Sequence, residues 1–160
     1  MTAVRWLHLC GVVLFVGLPL VSALVFLPLF SRYVPKEGFG EFFAAYRDRA
    51  SLVVWFGIGL FAVTGLSLFL FNPNYNGDLW DVTANGWTVF LTIKHTLILG
   101  LAPLALYLVN VVMPKLAEAL MTGAPESEAL MWRFRVLSTA MAVLGVLVLF
   151  LIASARTAGT

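Results

Sequence analysis

Three ionisable side chains interrupt apolar runs in this sequence: His8, Lys94 and His95. The chain has only two histidines, so both of them lie in such runs. An ionisable group inside hydrocarbon costs about 2.5–3.5 kcal/mol even on a lenient scale, and each therefore calls for a reason. Imidazole is the commonest protein ligand for metals. Two imidazoles approaching from opposite sides are a usual way of holding a haem iron. Further cations accompany the pair. Arg5 stands three residues before His8, on the same helical face, Lys94 adjoins His95, and Arg156 ends the last apolar run. Three cations around one mouth would suit two haem propionates. Alone, Arg5 or Arg156 would read as an interface anchor, whereas Lys94 lies within an apolar run and can snorkel outward.

The elements that must position these residues follow from composition. Of 160 residues, 61% are hydrophobic and 11% charged, with a mean hydropathy of +0.97. A soluble domain averages about 45–50% apolar and about 25% charged, so the solvent is a bilayer. The length is that of one domain, spanning 1–160. About 20 apolar residues cross the hydrocarbon core, and four runs qualify: 6–30, 52–71, 88–113 and 136–155. The expected fold is all-α, a four-helix up-down-up-down membrane bundle. Pro19, Pro28 and Pro103 fall inside spans, where neighbouring helices can satisfy the freed carbonyls. Gly57, Gly59, Gly65, Gly100 and Gly145 read as close-packing positions. The first run also contains Val21-Ser22-Ala23, a passable signal-cleavage site, but it continues well past that point and reads as a span.

Orientation follows the cations of short loops. Arg32, Lys36, Arg47 and Arg49 belong to the first loop, and Lys115, Arg133 and Arg135 to the third. The second loop, 72–87, has none, and the terminal segments offer only Arg5 and Arg156. The first and third loops are thus expected in the cytoplasm and both termini outside, in a cell membrane. Trp6, Trp80 and Trp87 then mark the outer interface, Trp55 and Trp132 the inner one. Residues 41–50 read as an amphipathic lead-in lying in the inner interface. Residues 115–121 continue span three until Thr122-Gly123-Ala124-Pro125 stops it, and Glu126 and Glu128 belong to the first turn of the next helix. No internal repeat is evident.

Spans one and three run parallel, which sets His8 and His95 at comparable depth. Counted from Trp6 and Trp87, they differ by roughly 9 Å, and counted for His95 from Phe90 by under about 7 Å. Tilt of about 20° absorbs much of this. Copper has less support. His8 and Cys10 point to nearly opposite helical faces, no Cys-x-x-Cys or Met-x-x-Met pair exists, and a two-histidine copper site is what remains. Cys10 reads as a small packing residue, Asn110 as a cross-link between helices, and Thr64, Thr92 and Thr96 as back-bonded to their own helices. No carboxylate lies within a span, so hydrolytic chemistry and a transmembrane proton path lack their groups. A net charge of +2 without a long basic stretch gives no nucleic-acid surface.

The pattern resembles the copper-resistance D (CopD-like) superfamily, which includes the HemJ-type protoporphyrinogen oxidases. WLHLCGVVLFVGLPLVSALVFLPLF is similar to that family's opening helix, with its early histidine, then Gly and Leu-Pro. YRDRASLVVWFGIGLFAVTGLSLF resembles the second element, ending in Thr64-Gly65. GWTVFLTIKHTLILGLAPLAL, with Trp87 and Lys94, resembles the third, and RFRVLSTAMAVLGVLVLFLIA the fourth. The resemblance implies a four-helix membrane protein, haem-binding in the HemJ branch and copper-linked in the CopD branch. His8 and Lys94 match the HemJ-type histidine and lysine. Two departures stand out: Ser138-Thr139 where that branch has Asn-Glu, and no Lys-Pro-Phe ending. His95 lies outside the family pattern.

The leading expectation is a small membrane b-type cytochrome that transfers electrons through one haem. The haem lies between spans one and three near the outer surface, with His8 and His95 as iron ligands and Arg5, Lys94 and Arg156 around it. Its partners would be the lipid bilayer and redox proteins or a larger membrane complex, with homo-oligomerisation left open. The alternatives are a CopD-like copper-handling protein, a HemJ-like protoporphyrinogen oxidase and a non-catalytic structural subunit. No catalytic residue is assigned.

Overall fold

The computed structural model describes residues 2–33, 36–71 and 86–157. Within helices, the side chains of 31, 36–37, 86–88, 90–91, 94 and 151–157 lie outside the described set. Every element is helical. Span one comprises α1 (Thr2–Val21), a π-turn (Ser22–Phe26) and α2 (Leu27–Tyr33). Span two is the single helix α3 (Lys36–Leu70). Span three comprises α4 (Gly86–Tyr107), a π-turn (Leu108–Val112) and α5 (Met113–Thr122), and span four is α6 (Ser127–Thr157). All four are long and apolar enough to cross a bilayer, and the fold is the four-helix membrane bundle that composition implies.

The chain alternates direction. His8, early in α1, touches Thr64 and Gly65 late in α3. Gly40, early in α3, meets Met121 late in α5. One end of the bundle therefore holds the start of α1 and the end of α6 (the terminal end), and the other holds the α2–α3 and α5–α6 connections (the hairpin end). Span one packs between α3 and α6, α4 packs on α6, and α5 on α3. Spans one and three are diagonal across the bundle. Spans two and three meet mainly through the second π-turn and α5, so they diverge toward the terminal end. The most deeply buried side chains, Phe43, Phe134, Met113, Leu116 and Val112, cluster toward the hairpin end. Outward, Trp6, Leu52, Phe56, Leu99, Val143 and Phe150 are more than half exposed, which is the surface a lipid-facing bundle presents.

Helix ends depart from the composition-based bounds because helices need not stop where hydrocarbon does. The lead-in of residues 41–50 is continuous with span two, as early turns of α3 itself. The reason is packing: Phe43 is fully buried and meets Phe134 edge-on at 5.4 Å. Span three does continue to Thr122, where Gly123 at φ 65° ends it. Ala124 N–H then closes the turn on the Ala119 carbonyl at 2.9 Å, a Schellman arrangement that needs a residue tolerant of left-handed backbone. Glu128 sits in the first turn of α6, while Glu126 lies in the preceding connection.

Where the sequence suggests no internal repeat, the two halves of the chain repeat one plan, helix–π-turn–helix followed by a long helix. The matching positions keep one constant separation: Ser22 with Leu108, Pro28 with Pro114, Arg47 with Arg133, Arg49 with Arg135, Gly59 with Gly145. Each π-turn ends two residues before its proline. Pro28 and Pro114 have no N–H for the carbonyls of Leu24 and Asn110. A turn widened to bonds five residues apart, Leu27 N–H to Ser22 O and Met113 N–H to Leu108 O, carries the backbone past the ring. Asn110 lies in the second π-turn and donates to its own Leu106 carbonyl at 2.9 Å, so it does not cross-link helices.

The glycines divide. A Cβ at Gly65 would lie 3.3 Å from His8 Cε1, and one at Gly145 would lie 2.7 Å from Val16 Cγ1. At Gly57 the nearest atom would be 3.8 Å away, an ordinary contact, and at Gly59 and Gly100 nothing lies within 4 Å. Gly59 and Gly100 are therefore not close-packing positions, whereas Gly57 is buried between helices, against Leu14 of α1.

Candidate cofactor site

His8 sits on the second turn of α1 and is half-buried. Its Nδ1 lies 3.0 Å from Thr64 Oγ1, and its ring stacks obliquely on Phe61 with centroids 4.4 Å apart. Thr64 is buried, at 5% exposure, and its hydroxyl donates to the Leu60 carbonyl at 2.6 Å. A hydroxyl has one proton. With that proton committed to Leu60, Thr64 can only accept from His8. The neutral imidazole is thereby held as the Nδ1–H tautomer, and its lone pair sits on Nε2. Gly65 admits the ring edge where any larger residue would press on it. Phe61, in turn, stacks on Phe15 at 6.5 Å.

His95 is half-buried on α4, and its ring meets Phe69 edge-on with centroids 6.4 Å apart. Both histidines thus lie along the last turns of α3, His8 beside Phe61, Thr64 and Gly65, His95 beside Phe69. Taking α3 as a ruler, His95 is nearer the terminal end by about one helical turn, ~6 Å. Counting from flanking tryptophans gave the opposite order because it assumed that both helices start at one level. The two remain within about a turn of one another, on helices that face diagonally.

Arg5 is exposed on α1, one turn closer to the terminal end than His8. Lys94 on α4 and Arg156 near the end of α6 have helical backbones at that same end, but their side chains lie outside the described residues, as do Trp80 and the side chain of Trp87. Cys10 is exposed and faces away from the bundle, not packed within it. Among the described residues, no group of three or more His, Cys, Asp or Glu converges. Thr64 back-bonds to its helix as expected, and it also does what sequence reasoning missed by fixing His8. The available signal was the Thr-Gly pair near the end of span two, at the depth of a histidine near the start of an antiparallel span one.

No family model, curated protein or solved structure matches this chain.

Proposed function

We propose that the chain is a small integral membrane b-type haem protein that transfers electrons, with one haem between spans one and three ligated by His8 and His95. The observation that carries this reading is the Thr64 clamp. A histidine whose Nδ1–H is bonded to a fixed oxygen, leaving its lone pair on Nε2, is the arrangement that haem- and metal-ligating histidines use. The donor set fits the group: two imidazoles at similar depth, aromatic neighbours in Phe61 and Phe69, and cationic positions toward the terminal end. Haem when bound supplies a one-electron couple within an apolar medium. The chain's own residues orient His8 through Thr64, seat its ring against Gly65 and Phe61, and offset propionate charge with Arg5, Lys94 and Arg156. The terminal end faces outward from the cell membrane in this reading, and a redox protein meets it there.

Substitution of both histidines tests the assignment. His8→Ala and His95→Ala should each convert a low-spin spectrum of the haem-loaded protein to a high-spin or weakened one, and the double variant should lose haem. The two effects should be non-additive, as for groups that share one partner. An unaltered low-spin spectrum in His95→Ala would overturn the bis-histidine ligation.

A further inference from the structure

The α5–α6 connection encloses a cleft of about 480 Å³ at the hairpin end, remote from the histidines. Lys115 and Glu118 line it from α5, and Glu126 and Arg133 from the connection and α6. All four are exposed. Yet none pairs with another: the ion pair among the described residues is Arg47 with its neighbour Asp48. Two cations and two carboxylates face one space without neutralising each other.

Their order along the helices carries the inference. Lys115 stands two residues beyond Met113, and Arg133 and Arg135 directly precede a stretch, 136–150, that has no charged residue. The cationic pair therefore sits at the edge of the hydrocarbon. Glu118 is about 4.5 Å further along α5, and Glu126 about 10 Å beyond Arg133, both toward the Gly123 turn and water. Outward from the bilayer the cleft reads positive, then negative. A zwitterionic glycerophospholipid reads the reverse, with phosphate at the glycerol and ammonium beyond it.

We propose that this cleft binds the headgroup of a phosphatidylethanolamine-type lipid, with phosphate between Lys115 and Arg133 and the primary ammonium between Glu118 and Glu126. A primary ammonium has three N–H donors for those carboxylates, as a lysine does, whereas a quaternary choline has none. An anionic glycerol headgroup would satisfy the cations with its phosphate but bring the carboxylates only neutral hydroxyls and no cation to neutralise them.

The full chain, purified in detergent and supplemented with phosphatidylethanolamine, phosphatidylcholine and phosphatidylglycerol of identical acyl chains, tests this by native mass spectrometry. The ethanolamine lipid should be retained about three- to fivefold over either competitor, the scale of one exposed ion pair. Glu118→Gln with Glu126→Gln should abolish that preference and favour phosphatidylglycerol. Lys115→Gln with Arg133→Gln should lower retention of the ethanolamine and glycerol lipids alike. All four side chains are exposed, so a melting curve matching that of the unaltered protein is expected for each variant, and the single substitutions serve if a pair fails to fold. Equal retention of the three lipids, or an ethanolamine preference that survives the Glu118/Glu126 change, overturns the proposal.

Discussion

At the scale of single residues, hydroxyl protons decide what each buried hydroxyl can do. Thr64 spends its proton on Leu60 and accepts from His8, and this sets the tautomer. Thr64→Val keeps the shape and removes the acceptor, so on the proposed ligation by His8 affinity for haem should fall about 10- to 100-fold, the usual cost of losing a ligand's outer hydrogen bond. Thr64→Ser should restore it. Haem titration followed by absorbance distinguishes them, and a valine variant that binds like the unaltered protein would reduce Thr64 to a packing residue. Elsewhere Tyr46 OH and Ser22 Oγ are hydrogen-bonded, and Ser22 Oγ donates on to the Leu18 carbonyl at 2.6 Å. Ser138 is the contrast, fully buried with no partner for its hydroxyl. An unsatisfied buried hydroxyl costs about 1–3 kcal/mol. Ser138→Ala should therefore be neutral or raise the thermal midpoint in detergent, and a clear fall would mean that a partner, lipid or water, occupies the site in the membrane.

At the scale of elements, the repeated plan of the two halves hides different packing. Gly59 and Gly145 occupy matching positions on α3 and α6, yet Gly59 is open and Gly145 lies against the branched side chain of Val16. Gly59→Ala should stabilise α3 by up to about 1 kcal/mol through helix propensity. Gly145→Ala must displace a stiff valine and should cost about 1–3 kcal/mol, as overpacking does. Unfolding of both variants in one detergent gives the comparison, and equal effects would mean that α1 and α6 pack less closely than described. Gly40 is stricter still, because a Cβ there would meet backbone of Met121 at 2.8 Å. The sequence made the spans legible through hydropathy and the end of span three through its Gly123. It did not reveal the π-turns, which arise from Pro28 and Pro114 acting on backbone registers that hydropathy does not sense. Nor did it separate Gly65 and Gly145 from Gly59 and Gly100, since what a glycine faces is set by a helix distant in the chain. The histidines were legible as costly residues. Their shared helix was not, because Phe61, Thr64 and Phe69 look like ordinary members of an apolar span.

At the scale of the whole molecule, the bundle is asymmetric in charge along its length. The described cations Arg32, Arg47, Arg49, Lys115, Arg133 and Arg135 lie on the hairpin side, and Arg5 lies at the terminal end. Positive residues flanking short loops remain on the cytoplasmic side during insertion. Both hairpin connections should therefore be cytoplasmic and both termini outside. An enzymatic reporter active only outside the cytoplasm should be active when fused after Thr160, and inactive when fused after Gly123. The two fusions must disagree whatever the orientation, since one helix, α6, separates the sites; agreement would refute the alternating bundle itself. A swapped pair of readouts would keep the bundle and invert it. It would then set the histidine end against the cytoplasm, so electrons would reach the proposed haem from cytoplasmic donors, and the ethanolamine lipid of the hairpin cleft would belong to the outer leaflet. Changing Lys115, Arg133 and Arg135 together to Gln leaves four loop cations, Arg32, Lys36, Arg47 and Arg49, against two terminal ones. The cation excess at the hairpin end narrows but survives, so the Thr160 reporter should stay active, and loss of its activity in that variant would show that the third loop alone orients the chain.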